Sequence, residues 1–145
     1  MTFKILLYII FMVFNSSNEA FSGSEKTLPL CRDSPNCVSS EAHDALHFIE
    51  PFKIKGNPEE AWLALKNTIK SQSRMVITHE TVDTLHAEAT SLVFRFVDDI
   101  NVILNSQKKI INIRSASRTG HSDFGVNRKR IEALRLQLQK ANVIE

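Results

Sequence analysis

The sequence is poor in the residues that mark several whole classes of protein. Four glycines and four prolines in 145 residues exclude a collagen-like or low-complexity chain. Two cysteines are too few for a disulfide-dense miniprotein. One Trp and one Tyr leave few platforms on which bases stack, and a formal net charge of +2 is small; both argue against a nucleic-acid partner. Only one long apolar run occurs, at the N-terminus, which excludes a multi-span membrane protein. No G-x-S-x-G, H-E-x-x-H or Walker loop is present, so no reaction and no cofactor is legible. What is there is 43% hydrophobic and 23% charged, the composition of one globular domain.

The apolar run sets the compartment. Lys4 precedes residues 5–14 (ILLYIIFMVF), ten uncharged residues. A spanning helix needs roughly 20, whereas the core of an export signal needs about 7–15. Small residues at Ala20 and Ser22 place cleavage after Ser22, with Ala20 as second choice. Residues 1–22 therefore read as a signal peptide, and the mature chain as periplasmic or secreted. The alternative is an uncleaved segment that holds the protein at a membrane. No Cys follows the run directly, which argues against a lipoprotein.

Export changes the meaning of Cys31 and Cys37. In an oxidising compartment the spacing CRDSPNC suits a local disulfide, with Pro35 and Asn36 helping the chain to turn. The rival is zinc on Cys31, Cys37, His43 and His47, but the cysteines are further apart than in ordinary zinc sites. Residues 23–46 are otherwise a polar, turn-rich arm.

A domain over 47–141 follows. Residues 47–55 (HFIEPFKIK) read as a strand with Phe48, Phe52 and Ile54 on one face, placed at an edge by Pro51. Asn57, Pro58 and Glu60 form a helix start, and Ala61, Trp62, Leu65 and Ile69 are the apolar stripe of a helix to about Ser71. Four strands are expected at 74–80, 85–96, 99–104 and 109–114, broken at 82–84, at Asp98-Asp99 and at 105–107. A last helix is expected from Ser122 or Asp123 to Ala141, with Phe124, Ile131, Leu134, Leu138 and Ala141 on one face. The fold class is α+β: a five-stranded antiparallel sheet with two helices on one face, in the order β-α-β-β-β-β-α. The other sheet face is left to solvent, the arm, a partner or a ligand.

Charge is unevenly spread. Residues 105–145 carry nine Lys/Arg against three Asp/Glu, so an acidic partner would dock there. Arg114, Ser115, Ser117, Arg118, Ser122 and Arg128 gather where a loop runs into the last helix. Free N–H groups at a helix start, hydroxyls and guanidinium forks make an anion site. A purely structural reading stands beside it: Ser122 caps the helix, and Arg114 and Arg118 pair with Asp98, Asp99 or Asp123. The adjacent His121, Ser122 and Asp123 do not make a triad, because chain neighbours point apart. His79 and His86 flank a turn without further metal ligands.

Four segments also carry a resemblance. CRDSPNCVSS at 31–40, HFIEP at 47–51, FRFVDDI at 94–100 and RSASRTGHSDFGVNRKRIEALR at 114–135 resemble the signature of the domain-of-unknown-function 1499 family. The resemblance spans about Leu28 to Leu138. It implies an exported or membrane-tethered protein of bacterial type and carries no assigned activity, cofactor or catalytic residue. The functional expectation is thus a non-catalytic exported module, binding an unknown protein or an anionic small molecule through its basic loop and last helix. The alternatives are a small-ligand binder holding an anionic or lipid-like molecule, and a hydrolase.

Overall fold

The computed structural model describes residues 26–145, so the expected signal peptide lies outside the described residues. Its elements are β1 (Cys37–Ser39), β2 (Phe52–Lys53), α1 (Pro58–Ser71), β3 (Met75–Glu80), β4 (Thr84–Thr90), β5 (Val97–Asn105), β6 (Ile110–Ser117) and α2 (Val126–Lys140). The class is α+β, as the alternation of residues required. Strands β3 to β6 form an antiparallel meander, with sheet order β1-β6-β5-β4-β3. β1 and β2 share the free side of β6: β1 lies against Arg114, Ser115 and Ala116, and β2 against Ile110 and Ile111. The arm therefore donates a strand of its own.

Helix α1 forms where the sequence placed it. Asn57 is extended, and its side chain accepts from the N–H groups of Glu59 (2.8 Å) and Glu60 (3.1 Å). Ala61, Trp62, Leu65 and Ile69 are all buried. On the sheet, Leu85, Ala87, Ile100, Val102, Ile111 and Ile113 alternate toward the helices and join Leu65, Ile69, Ile131, Leu134 and Leu138 in one core. Both helices thus cover the same sheet face. Ile144 packs into that core too, and the N–H of Glu145 donates to the Lys53 carbonyl at 2.9 Å.

Four expectations need correction. The strand expected at 47–55 is reduced to Phe52–Lys53 plus isolated bridges at Phe48 and Ile54. Pro51 has no N–H to donate, and Arg135 instead clamps the carbonyls of Glu50 and Pro51 while its guanidinium lies 4.8 Å from the Phe52 ring. The strand expected at 85–96 stops at Thr90. Residues 91–96 are a loop in which Phe94 and Phe96 are exposed and stacked, so their alternation is not a pleat. Asp98 and Asp99 do not break the chain but lie inside β5. Helix α2 begins at Val126, not at Ser122 or Asp123; Phe124 and Ala141 are exposed rather than on its buried face.

The outer sheet face is partly covered by the arm. Leu28 is buried, its N–H donates to Glu41 Oε2 at 2.8 Å, and Lys26 pairs with Asp83. Cys31 and Cys37 form a disulfide, with Cα atoms 5.7 Å apart. No described helix is long and apolar enough to cross a membrane. Reduction should add two hydrogens to the intact mass and lower the unfolding free energy by about 2 kcal/mol, as befits so short a loop. Mass spectrometry and urea unfolding read both; free thiols in carefully isolated, unreduced protein would remove the bridge.

Candidate functional site

The end of the sheet where β6 runs toward α2 gathers most of the unusual polar residues. Beneath it, on the helix side, lies Asn127. It is fully buried, in the second position of α2, on the same helix face as Ile131, Leu134 and Leu138. Its amide nitrogen donates to Ser117 Oγ (3.0 Å), Asp123 Oδ2 (2.8 Å) and the Asn36 carbonyl (3.2 Å). Its amide oxygen accepts from Ser115 Oγ and from Arg130 Nη1 (2.7 Å). Arg130 then reaches Asp98 Oδ2 at 2.6 Å in a largely buried ion pair. One amide so ties helix, sheet and disulfide loop together, and every polar group around it has a partner.

Asp123 supplies the missing helix cap. The N-cap, Gly125, sits at φ +76°, which suits glycine, and has no side chain to cap with. Asp123 accepts instead from the N–H groups of Gly125 (2.9 Å) and Asn127 (2.9 Å). Burial pushes its carboxyl up, but these N–H groups and the Asn127 amide outweigh that and hold it below the usual value. The positive start of α2 is therefore already occupied by a carboxylate of the chain itself.

Above the sheet, on the outer face, a second polar network runs across three strands. Glu88 of β4 lies directly opposite Asp99 of β5. Two like charges in register repel. Arg118 resolves this: its Nε donates to Asp99 Oδ2 at 2.9 Å, and Nη2 to Asp99 Oδ1 (2.8 Å) and to Glu88 Oε1. His86 Nε2 lies 2.9 Å from Asp99 Oδ1 and its Nδ1 2.6 Å from Thr78 Oγ1. The Arg118 guanidinium, helped by His86, draws Asp99 below the usual carboxylate range despite its burial.

Arg114 is treated differently. It stands on the same face, half-buried, and meets only neutral acceptors: Asn101 Oδ1 at 3.3 Å and the Leu30 carbonyl at 3.4 Å. Its Nε–H is buried and has no acceptor among the described residues. Burial lowers its pKa, the charge of Asp99 opposes that, and the neighbouring Arg32 lowers it further. Beside it is a cleft of about 180 Å³ lined by Arg32, Ser34, Asn36, Asp99, Ser117, Arg118 and Gly120. Asn36 closes one wall by donating to the Gly120 carbonyl at 2.7 Å.

Of the residues expected to gather, Arg114, Ser117 and Arg118 line this cleft. Ser115 is fully buried under the sheet against Asn127, and Ser122 accepts only from the Phe124 N–H at 3.3 Å. Arg128 points to the Leu46 carbonyl, 3.0 Å away. The carboxylate partner of Arg118 is Asp99, and that of Asp98 is Arg130 rather than Arg114. Sequence reasoning missed Arg32, Asn36, Asn127 and Arg130. Asn127 carried a signal: it sits four residues before Ile131 and seven before Leu134, on the apolar stripe.

The disulfide loop has its own polar anchor. His47 is buried; its Nδ1 lies 2.8 Å from Asp44 Oδ1 and its Nε2 3.0 Å from the Ser34 carbonyl. Both nitrogens face acceptors, so the imidazolium, which donates from both, fits best. The Ser34 carbonyl and then the Asp44 carboxylate raise its pKa against the opposing effect of burial. A larger groove of about 460 Å³ lies beside α1, lined among others by Trp62, Leu63, Lys66, Val82 and Leu104. The Trp62 indole N–H is buried without an acceptor among the described residues.

This arrangement defines a class first: an α+β domain in which a disulfide loop, the β5 start and the loop before α2 meet at one polar end. Residues 27–138 match the family described as "Protein of unknown function (DUF1499)", and the chain belongs to that family. No curated protein and no solved structure matches.

Asn127→Leu should destabilise the fold by about 3 kcal/mol, since it strands several buried polar groups at once. The conservative Ile131→Val should cost only about 1 kcal/mol; equal losses in chemical unfolding would deny Asn127 its special place. For His47 the folded pKa is raised, so its stabilisation is complete below about 6.5, the unfolded value, and is lost as pH rises through the folded value. The difference in unfolding free energy between wild type and His47→Gln should shrink over that rise; a pH-independent difference would deny the imidazolium.

Proposed function

We propose that this protein is a non-catalytic, exported module that holds an anionic group, of a small molecule or of a partner, in the cleft between Arg32 and Arg114. The observation that carries this reading is Arg114. Its charge is partly desolvated, faces a second guanidinium, has no direct carboxylate partner and keeps a buried N–H unpaired. An anion in the cleft relieves the first three; the buried Nε–H marks how far the guanidinium has been withdrawn from water. Arg118 has no such need, because Glu88 and Asp99 already neutralise it. It contributes wall and shape, as do Ser117 and the disulfide loop.

The size of the cleft selects the ligand. About 180 Å³ suits a phosphate, sulfate or carboxylate group, whereas a drug-sized or lipid-like molecule needs roughly 300–1,000 Å³. The disulfide supports a location in an oxidising compartment, in keeping with the export signal read at 1–22.

Titration with inorganic phosphate, followed by amide chemical shifts, should move residues 32–36 and 114–120 together. Arg114→Gln should weaken the apparent affinity at least tenfold while leaving the thermal unfolding curve in place. Arg118→Gln should have a smaller effect on affinity. No shifts with phosphate, sulfate or acetate, or shifts unaltered by Arg114→Gln, would remove the anion cleft.

A further inference from the structure

We propose that the same end of the sheet docks on an anionic lipid surface, with two apolar loop tips inserted among the head groups. The first tip is the β4–β5 loop. Leu92, Val93, Phe94 and Phe96 lie within five residues, and Phe94 is 74% exposed. The rings of Phe94 and Phe96 stack 5.6 Å apart, and both are largely exposed. The second tip is Phe124, which is 88% exposed, in the loop before α2. The two loops leave the sheet side by side: Asp98 pairs with Ser117, and the Arg118 N–H donates to the Val97 carbonyl at 3.1 Å.

Each tip holds a left-handed residue, as do Arg74, Lys109 and Asn142 elsewhere on the surface. Arg95 and Phe124 hold φ of +56° and +52°. Left-handed backbone is unfavourable for residues with a β-carbon, and for an aromatic it usually brings some packing in return. Phe124 is outside the hydrophobic core of the described residues and 88% exposed. A cluster of this kind marks a contact surface rather than scattered apolar residues.

Charge and shape choose the occupant. The acidic groups at this end are all engaged: Asp98 with Arg130, Glu88 and Asp99 with Arg118, Asp123 with backbone N–H groups. Arg74, which donates to the Thr90 carbonyl, Arg95 and Lys129 have no carboxylate partner among the described residues, and they leave uncompensated positive charge near the tips. Positive charge near protruding aromatic and aliphatic tips suits anionic head groups over an acyl boundary, where phenyl rings and long aliphatic chains settle. The tips stand well out in solvent, with Val93 and Phe94 each 74% exposed. This surface is separate from the Arg114 cleft and stands or falls without it.

The test uses the full chain carrying Phe94→Trp, which places a reporter on the tip; Trp62 is buried and gives a constant background. Vesicles of 70:30 phosphatidylcholine and phosphatidylglycerol should shift the reporter emission to the blue and protect it from acrylamide. With phosphatidylcholine alone, partition should be about tenfold weaker. Adding Arg95→Glu and Lys129→Glu should reduce binding to the mixed vesicles to a similar degree. Because the readout is local, attachment through residues 5–14 does not mimic it. An unshifted, fully quenched reporter on sedimented vesicles, or equal partition into both lipids, would overturn the proposal.

Discussion

A single buried amide organises this molecule. Asn127 occupies a position on α2 where the helix pattern calls for an aliphatic residue, and it is entirely removed from water. A buried amide is costly unless satisfied, because its donors and acceptor lose their water. Its two N–H hydrogens lie among three acceptors, the Asn36 carbonyl, Ser117 and Asp123, while its oxygen accepts from Ser115 and Arg130. That arrangement fixes the disulfide loop against the helix and sets the height of β6 under it. It also holds Arg130 against Asp98. An all-aliphatic contact at this point would tolerate sliding; a fully satisfied amide does not.

The same geometry explains why separate stretches of sequence belong together. The cysteine loop supplies Asn36, the acidic pair in β5 supplies Asp98 and Asp99, and the stretch from Arg114 to Arg130 supplies everything else. Asp98 and Asp99 point to opposite faces of the sheet, as neighbours on a strand must. One therefore meets Arg130 below and the other Arg118 above. Two adjacent acids inside a strand look like a chain break in sequence. They are tolerated because each finds its own guanidinium, from residues 19 and 32 positions further on.

What was legible in the sequence was whatever rests on local chemistry. The Asn57-Pro58 start and the 61, 62, 65, 69 stripe define α1 without reference to the rest of the chain. The Cys31–Cys37 bridge was expected from the spacing together with the export reading, against a zinc alternative, and the disulfide is present. What was hidden depends on partners distant in sequence. The alternation at 93–96 suggested a pleat because it has the right period, yet no strand lies opposite it, so it projects as a loop. The start of α2 was displaced because Ser122 has the chemistry of a cap, while Asp123 has the position: it alone reaches the N–H groups of Gly125 and Asn127. The anion site read around Arg114 and Arg118 joined residues that the fold assigns to different tasks. Arg114 lies in β6 and Arg118 just beyond its end, and which of them has carboxylates beside it depends on Glu88 and Asp99, distant in sequence.

That division of labour between two arginines is the last physical point. An exposed guanidinium that bridges two carboxylates in register relieves a repulsion built into the sheet, and its charge is spent within the fold. A half-buried guanidinium with only carbonyl and amide neighbours is the opposite case: the fold bears the cost of desolvating it and gains no direct ion pair. Arg32 beside it adds repulsion rather than relief. Nothing in the packing of the core requires a cation there, since the aliphatic side chains of the sheet face the helices from the other side. A charge kept at a cost, at the mouth of a cleft walled in part by the disulfide loop, is the physical basis of the proposed anion site.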